Sequence, residues 1–218
     1  MMATNLVCPV PPTLNLFNDN ENPFPDNDCD YFDLHALQDI LKQYDGNYFS
    51  VFSMNLRSCR KNFPSMLSYL NVLCHKFTIL ILVETWLTAD CDYTFNIPGF
   101  NQINIYKSNF GGGIKVFYHC QLDVEIINDL TIVNEIMQVL SFNIKGPNYS
   151  YTVVAVYKPP SSNNHVFNEM FFNSVIDKIP QNSKIVIAGD FNLNLLNPFR
   201  LTHIDDFISN MLSFGYFP

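Results

Sequence analysis

Apolar and polar residues repeat along this chain with two different periods, and the switches between them mark out its elements. Residues 48–54 are rich in aromatic and β-branched side chains and read as a strand that ends at Asn55-Leu56-Arg57. Residues 64–74 follow with Met66, Leu67, Leu70, Val72 and Leu73 on a helical pattern, opened by a proline suited to a first turn. Residues 77–83 form a continuous apolar run, as in a strand covered on both faces, and deliver Glu84-Thr85-Trp86. Strand, helix, strand predicts a parallel pair joined by a crossover helix. Short strands come next, at 101–106, 113–118, 122–127, 135–143 and 149–157, separated by Asn, Gly and Pro clusters, and read as an antiparallel meander. A helix over 166–179, with Phe167, Met170, Phe171, Val175 and Ile179 as its core face, leads to a buried strand at 185–188 and a final helix at 204–212.

Polar residues collect where these strands end. Asn55 and Glu84 leave the C-terminal ends of two strands of one sheet, which is where ligands bind in open α/β sheets. The strand beginning at Ile185 turns at Gly189 and continues into Asp190, Asn192 and Asn194. If the backbone stays extended, these three point to one side and Phe191 and Leu193 to the other. A carboxylate beside amides at the mouth of a buried strand suits a site that holds a metal, a water and a phosphate together. Taken alone, a surface turn is the simpler account, because Gly, Asp and Asn are the commonest turn formers. Glu84 alone is equally a strand-end glutamate in solvent, and Trp86 reads as a packing residue. Tyr157-Lys158-Pro159-Pro160 ends the buried run 153–156 with a phenol and an ammonium, then stiffens the exit with two prolines. Gly111-Gly112-Gly113 resembles a phosphate-cradling loop, but no Lys-Ser or Lys-Thr follows, so a turn into a strand is the better reading.

Composition narrows the function classes. A chain of 218 residues can bury one sizeable core, and 48% hydrophobic against 15% charged residues describes a globular domain. The formal charge of −8 argues against gripping nucleic acid through a broad basic surface, yet it allows an enzyme that meets phosphate through a cation held by acidic ligands. Cys8, Cys29, Cys59, Cys74, Cys91 and Cys120 form no CxxC pair, so a zinc or redox motif is not expected. The longest apolar run is too short for a membrane span and no secretory signal is seen, so an intracellular, reduced protein without a membrane partner is expected. Residues 1 to about 30, rich in Pro, Asn and Asp, read as a tail, and residues 33–44 as a short amphipathic helix closed by Gly46 and Asn47. The main domain is expected over 47–218 and the tail with its helix over 1–46.

Four strand-end clusters now stand in order: Asn55-Leu-Arg57, Glu84-Thr-Trp86-Leu87, Tyr157-Lys-Pro-Pro160 and Gly189-Asp-Phe-Asn192. Together with the glycines that open a strand at Gly113, they resemble the endonuclease/exonuclease/phosphatase superfamily. The likeness is strongest to the apurinic-type endonuclease domain at the front of non-long-terminal-repeat retrotransposon reverse transcriptases. It covers about residues 47–218. The resemblance implies an α/β four-layer sandwich, two mixed β-sheets packed face to face with helices outside. It implies hydrolysis of a DNA phosphodiester with Mg²⁺ or Mn²⁺, nicking DNA to prime reverse transcription, with the reverse transcriptase portion of a longer parent polyprotein as a partner and the nucleus as the place of action. By position, Glu84 would bind the metal with Asn55 beside it in the metal and phosphate pocket. Asp190 would orient or deprotonate the attacking water, Asn192 would hold the phosphate, and Tyr157 would hydrogen-bond it or help the leaving group. Arg57 and Lys158 could add phosphate contacts, with support of its own loop the favoured role for Arg57; Asn194 has no implied role.

Superfamily members finish with further strands and a Ser-Asp-His motif, and no such motif follows Asp190. His203 precedes Ile204 and reads as a helix-start residue; His35, His75, His119 and His165 stand in non-matching contexts. The expectation is a copy incomplete at its C-terminus, last strands missing, with activity impaired. The alternatives are a catalytically dead remnant or binding module of the same fold, and a DNA-repair endonuclease or phosphatase. The Glu-Thr-Trp-Leu and Tyr-Lys-Pro-Pro forms lean toward retrotransposons.

Overall fold

A computed structural model describes residues 32–43, 49–91, 94–106, 111–146, 149–180, 182–195 and 202–216. The tail expected before residue 31, and the Gly46-Asn47 stop, lie outside these residues.

Helix α1 (Leu34–Lys42) is capped by Asp33, whose carboxylate accepts from the Ala36 N–H, and lays Leu37 and Leu41 against the domain. Strand β1 (Val51–Asn55) and helix α2 (Cys59–Leu73) lead to β2 (Ile79–Val83), which pairs with β1 in parallel as expected of a crossover. Strands β3 (Phe100–Ile105) and β4 (Ile114–His119) complete a sheet ordered β1-β2-β4-β3. Strands β5 (Asp123–Ile126), β6 (Ile132–Val133), β7 (Gln138–Lys145), β8 (Ser150–Tyr157) and β9 (Ile185–Asp190) make a second sheet. Its order is β5-β7-β8-β9, with β6 on β7 and β9 parallel to β8. Between β8 and β9 runs α3 (Asn164–Ser174), and α4 (Thr202–Ser213) follows β9.

Period-two alternation sorts each strand's residues between layers. Ile79, Ile81, Val83, Ile114 and Val116 of the first sheet meet Leu140, Phe142, Val153 and Ala155 of the second in the central layer. Phe52, Leu80, Leu82 and Phe117 face α1 and α2, while Val154 and Val156 face α3 and α4. The result is helices, sheet, sheet, helices, a mixed α/β sandwich of four layers.

Four expectations change. The meander is divided: β3 and β4 belong to the first sheet and β5 to β8 to the second, because short antiparallel strands carry no mark of which sheet they join. The strand expected at 135–143 is β7, which starts only at Gln138: residues 134–137 form a turn in which Asn134 Oδ1 accepts from the N–H groups of Ile136 and Met137, and the short β6 precedes it. Helix α2 starts at Cys59, so Pro64 lies inside it. Buried Cys59, Phe63, Met66 and Leu73 extend the apolar face upstream, and the new first turn is held by Ser58 and Cys59 N–H groups donating to the carbonyls of Glu84 and Thr85. Finally, α3 stops at Ser174 and a 3₁₀ turn, Ile176–Lys178, carries the chain onward. No described helix is long and apolar enough to cross a membrane, and no disulfide joins the described cysteines, Cys59, Cys74, Cys91 and Cys120.

Candidate active site

The alternation that fills the central layer also aims the polar residues at its end. Asn55 is two steps beyond Ser53 and four beyond Val51 on the inner face of β1; Tyr157 follows Val153 and Ala155; Asp190 follows Val186 and Ala188. β9 therefore does not turn at Gly189. It runs through Asp190, whose register partner on β8 is Tyr157, and bends where Asn192 takes φ 47°. Gly189 is needed there for another reason: at φ 145° a Cβ would run into the Val156 carbonyl. Phe191 and Leu193 do pack against the outer helices while Asn192 and Asn194 are exposed.

The four residues meet across the two sheets. Asn55 Nδ2 donates to Glu84 Oε1 at 2.8 Å and to Asp190 Oδ2 at 2.5 Å. Its other end is fixed by the Arg57 N–H, which donates to Asn55 Oδ1 at 3.2 Å, so the amide nitrogen faces the carboxylates. Asp190 Oδ1 accepts from the Asn192 N–H at 2.9 Å, an Asx-type turn that orients the carboxylate. Asn192 Nδ2 donates to the Lys158 carbonyl at 2.7 Å, and the Lys158 N–H to the Asp190 carbonyl at 2.9 Å. Burial pushes the Tyr157 phenol up to about 12, helped by the charges of Glu84 and Asp190 and by its hydrogen bond to Glu84. At neutral pH it is a donor.

Backbone strain gathers at the same place. Of the described non-glycine residues with positive φ, namely Arg57, Ser58, Cys74, Glu84, Trp86 and Asn192, all but Cys74 stand in the loops leaving β1, β2 and β9. Such conformations cost about 1–3 kcal/mol each and persist where the surroundings over-determine them.

Two expected contacts sit differently from the rest. Arg57 is exposed on the rim. Lys158 is only 1% exposed, its Nζ 3.4 Å from the Pro159 carbonyl and 5.9 Å from the Phe167 ring centre. Alternation explains this: Tyr157 faces inward, so its neighbour faces outward beneath α3. Burial lowers the Lys158 pKa, and the Asp190 charge partly restores it. Trp86, expected to pack, is 49% exposed beside Glu84. His203 belongs to α4, with Nε2 2.7 Å from Asn164 Nδ2.

Residues to which the four strand-end clusters assign no chemistry support this arrangement. Asn62 Nδ2 donates to the Leu56 and Arg57 carbonyls, holding the β1 exit. Thr85 and Gln138 are buried behind Glu84. Gln138 had a visible signal, being a polar residue at an inward position of a strand whose other inward residues are Leu140, Phe142 and Ile144.

Among the described residues no three His, Cys, Asp or Glu side chains gather, so a metal here would have the Glu84 and Asp190 carboxylates. That donor set fits Mg²⁺ or Mn²⁺, hard cations that accept one or two carboxylates and complete their shell with water and phosphate oxygens. It is a poor match for zinc, whose sites draw mainly on His and Cys, because among the described residues neither joins this pair.

No protein-family model matches the sequence, and no curated protein matches it either. Solved structures do match. The endonuclease domain of TRAS1, a telomere-specific non-LTR retrotransposon, is 16% identical with TM-score 0.58, covering 77% of this chain and 72% of that one. An endonuclease/exonuclease/phosphatase family protein from Bacteroides thetaiotaomicron is 16% identical with TM-score 0.55, covering 74% and 68%. A 3′ phosphatase from Neisseria bound to product DNA hairpin is 15% identical with TM-score 0.53, covering 77% and 71%. The chain has the endonuclease/exonuclease/phosphatase fold.

Proposed function

We propose that this chain is a DNA endonuclease of retrotransposon type that hydrolyses a phosphodiester with a divalent cation, nicking DNA to prime reverse transcription. The observation that carries the reading is the single Asn55 amide drawing together Glu84 from one sheet and Asp190 from the other, with a protonated phenol on Glu84. Likeness in fold to a retrotransposon endonuclease domain, and to a phosphatase holding product DNA, supports the substrate class.

In this reading Glu84 holds Mg²⁺ or Mn²⁺, with Asn55 beside it. The cation supplies charge stabilisation at the phosphoryl oxygens and a more acidic water. Asp190 orients the attacking water and takes its proton as the new P–O bond forms. Asn192 and Tyr157 hydrogen-bond the phosphate while the opposite P–O bond breaks, and the leaving oxygen takes a proton from solvent. Arg57 meets the phosphate from the rim, and the buried Lys158 ammonium acts through its charge on Asp190. Such carboxylate work is worth about 10²–10⁴-fold in rate.

A second reading is a binding module of the same fold that does not hydrolyse. It is favoured by the histidines: His75, His119 and His203 contact Ser50, Phe100 and Asn164, and among the described residues no histidine joins the carboxylate pair. Nicking of supercoiled plasmid, with Mg²⁺ and with chelator, separates the two. Chelator-sensitive nicking that drops by about 10²-fold or more in Glu84→Ala and Asp190→Ala is expected. Folded wild-type protein that nicks no faster than these variants sinks the endonuclease and leaves the binding module.

A further inference from the structure

The candidate site is made of two halves on two sheets, so something must set their spacing. Asn55 and Glu84 come from the first sheet, Tyr157 and Asp190 from the second. Beneath them lies Gln138 of β7, fully buried and the register partner of Tyr157. Its side chain crosses to the other sheet: Oε1 accepts from the Gly113 N–H, at the start of β4, at 2.6 Å. The amide orientation follows, because an N–H faces only the oxygen, and Nε2 is left as a buried donor with no partner among the described residues.

The glycines then carry the contact upward. The Gly113 carbonyl accepts from the Thr85 N–H at 3.3 Å, and the Gly112 carbonyl from the Trp86 N–H at 2.9 Å. These two bonds grip the segment in which Glu84 has φ 53° and Trp86 φ 54°, a bend the backbone would not hold unaided. Space is reserved for the linkage: a Cβ on Gly112 would sit 2.6 Å from Gln138 Nε2, and one on Gly113 2.5 Å from Thr85 Oγ1. Both glycines also have positive φ. Strand propensity would not select glycines, or a glutamine, at these buried positions.

We infer that Gln138 is a positioning residue. Through Gly112 and Gly113 it fixes the Glu84 loop of one sheet against Tyr157 and Asp190 of the other, and so sets how well Glu84 holds a divalent cation. The second half of this statement rests on Glu84 being the cation-holding group; the first half does not.

The chain contains one tryptophan, Trp86, whose N–H is part of the linkage, so its fluorescence reads the loop directly. The test compares the full chain with Gln138→Met, which keeps length and burial but removes the acceptor. Two readings are taken: acrylamide quenching of Trp86, and a Mg²⁺ titration followed by Trp86 emission. Removing a support behind a metal ligand commonly costs about 10–100-fold in affinity, so the Mg²⁺ midpoint should rise by about that factor and quenching should increase. A folded Gln138→Met variant with unchanged quenching overturns the inference. Changed quenching with an unmoved Mg²⁺ midpoint overturns it too, since Gln138 would then serve the fold without reaching Glu84. Should Gln138→Met fail to fold, Gly112→Ala decides by the same readings, because its added Cβ pushes on the same amide while β7 keeps its sequence. A wild-type chain blind to Mg²⁺ removes the proposed function, and quenching alone then decides whether Gln138 holds the loop.

Discussion

The two ends of the strand pair β1 and β2 carry polar groups of similar kind and put them to opposite use. At the N-terminal end the Ser50 N–H donates to Thr78 Oγ1 at 3.0 Å, the Thr78 N–H donates to Ser50 Oγ at 3.2 Å, and His75 Nε2 lies 3.3 Å from Ser50 Oγ. Tyr149 bonds the Thr78 side chain, and Phe49 stacks on Tyr151 with centroids 4.2 Å apart. That end is closed, each group being satisfied by its neighbours. The positive-φ residue near it, Cys74, is a helix C-cap, an ordinary place for a left-handed backbone. At the C-terminal end one amide serves two carboxylates, and the loops around it are bent into unfavourable φ. What makes an end into a site is acceptor capacity left uncommitted and held by strained backbone, beyond the mere presence of polar residues.

Substitutions on the two sides should therefore separate stability from activity. Thr78→Val keeps the shape but strands the Ser50 N–H, which should cost about 1–3 kcal/mol in urea unfolding and leave nicking per folded molecule unchanged. Glu84→Ala should do the reverse, abolishing nicking while holding the urea midpoint. If Thr78→Val slows nicking by the folded protein, the two ends are coupled and the contrast fails. A smaller effect is expected from Tyr157→Phe. Loss of one hydrogen bond to a charged group is worth about 1.5 kcal/mol, roughly tenfold in rate. Because the phenol is pushed up to about 12, the wild-type pH–rate profile should show no tyrosine titration near pH 10. A break near that pH, absent in Tyr157→Phe, would show a solvated phenol and an open floor to the site.

The inner half of this site is legible in the sequence because strands have period two. Once residues 153–156 and 185–188 are read as buried strands, Tyr157 and Asp190 have one side to face, and Asn55 likewise beyond β1. The same rule was available for Lys158, which it turns away from the site and under α3. Glu84 escapes the rule, since φ 53° breaks the alternation that would have placed it. The start of α2 was hidden by Pro64, a residue that usually opens helices but here lies inside one whose first turn is held by the Glu84 loop. Gln138 lies 25 residues from Gly113, its hydrogen-bond partner, and on another sheet, so only assembly of the sandwich brings them together. Local pattern gives the faces of strands; contacts between sheets appear only in three dimensions.

The smallest effect expected concerns pH at the closed end. Burial of the His75 ring, edge-on to Phe77 with centroids 4.7 Å apart, lowers its pKa below the ordinary 6.5, and a bond to the Leu41 backbone only partly offsets this. In the unfolded chain the ring keeps its ordinary value, so as pH falls below about 6.5 the unfolded state binds the proton first. His75 therefore contributes stability above that pH and loses it as the solution becomes more acid. Half exposure and screening keep the size small. The wild-type urea midpoint should fall from pH 7.5 to pH 5.5, and His75→Asn should flatten part of that fall while leaving the nicking profile's shape alone. An equal acid-dependent loss in both proteins would show that His75 is solvated, and that the closed end is less closed than its hydrogen bonds imply.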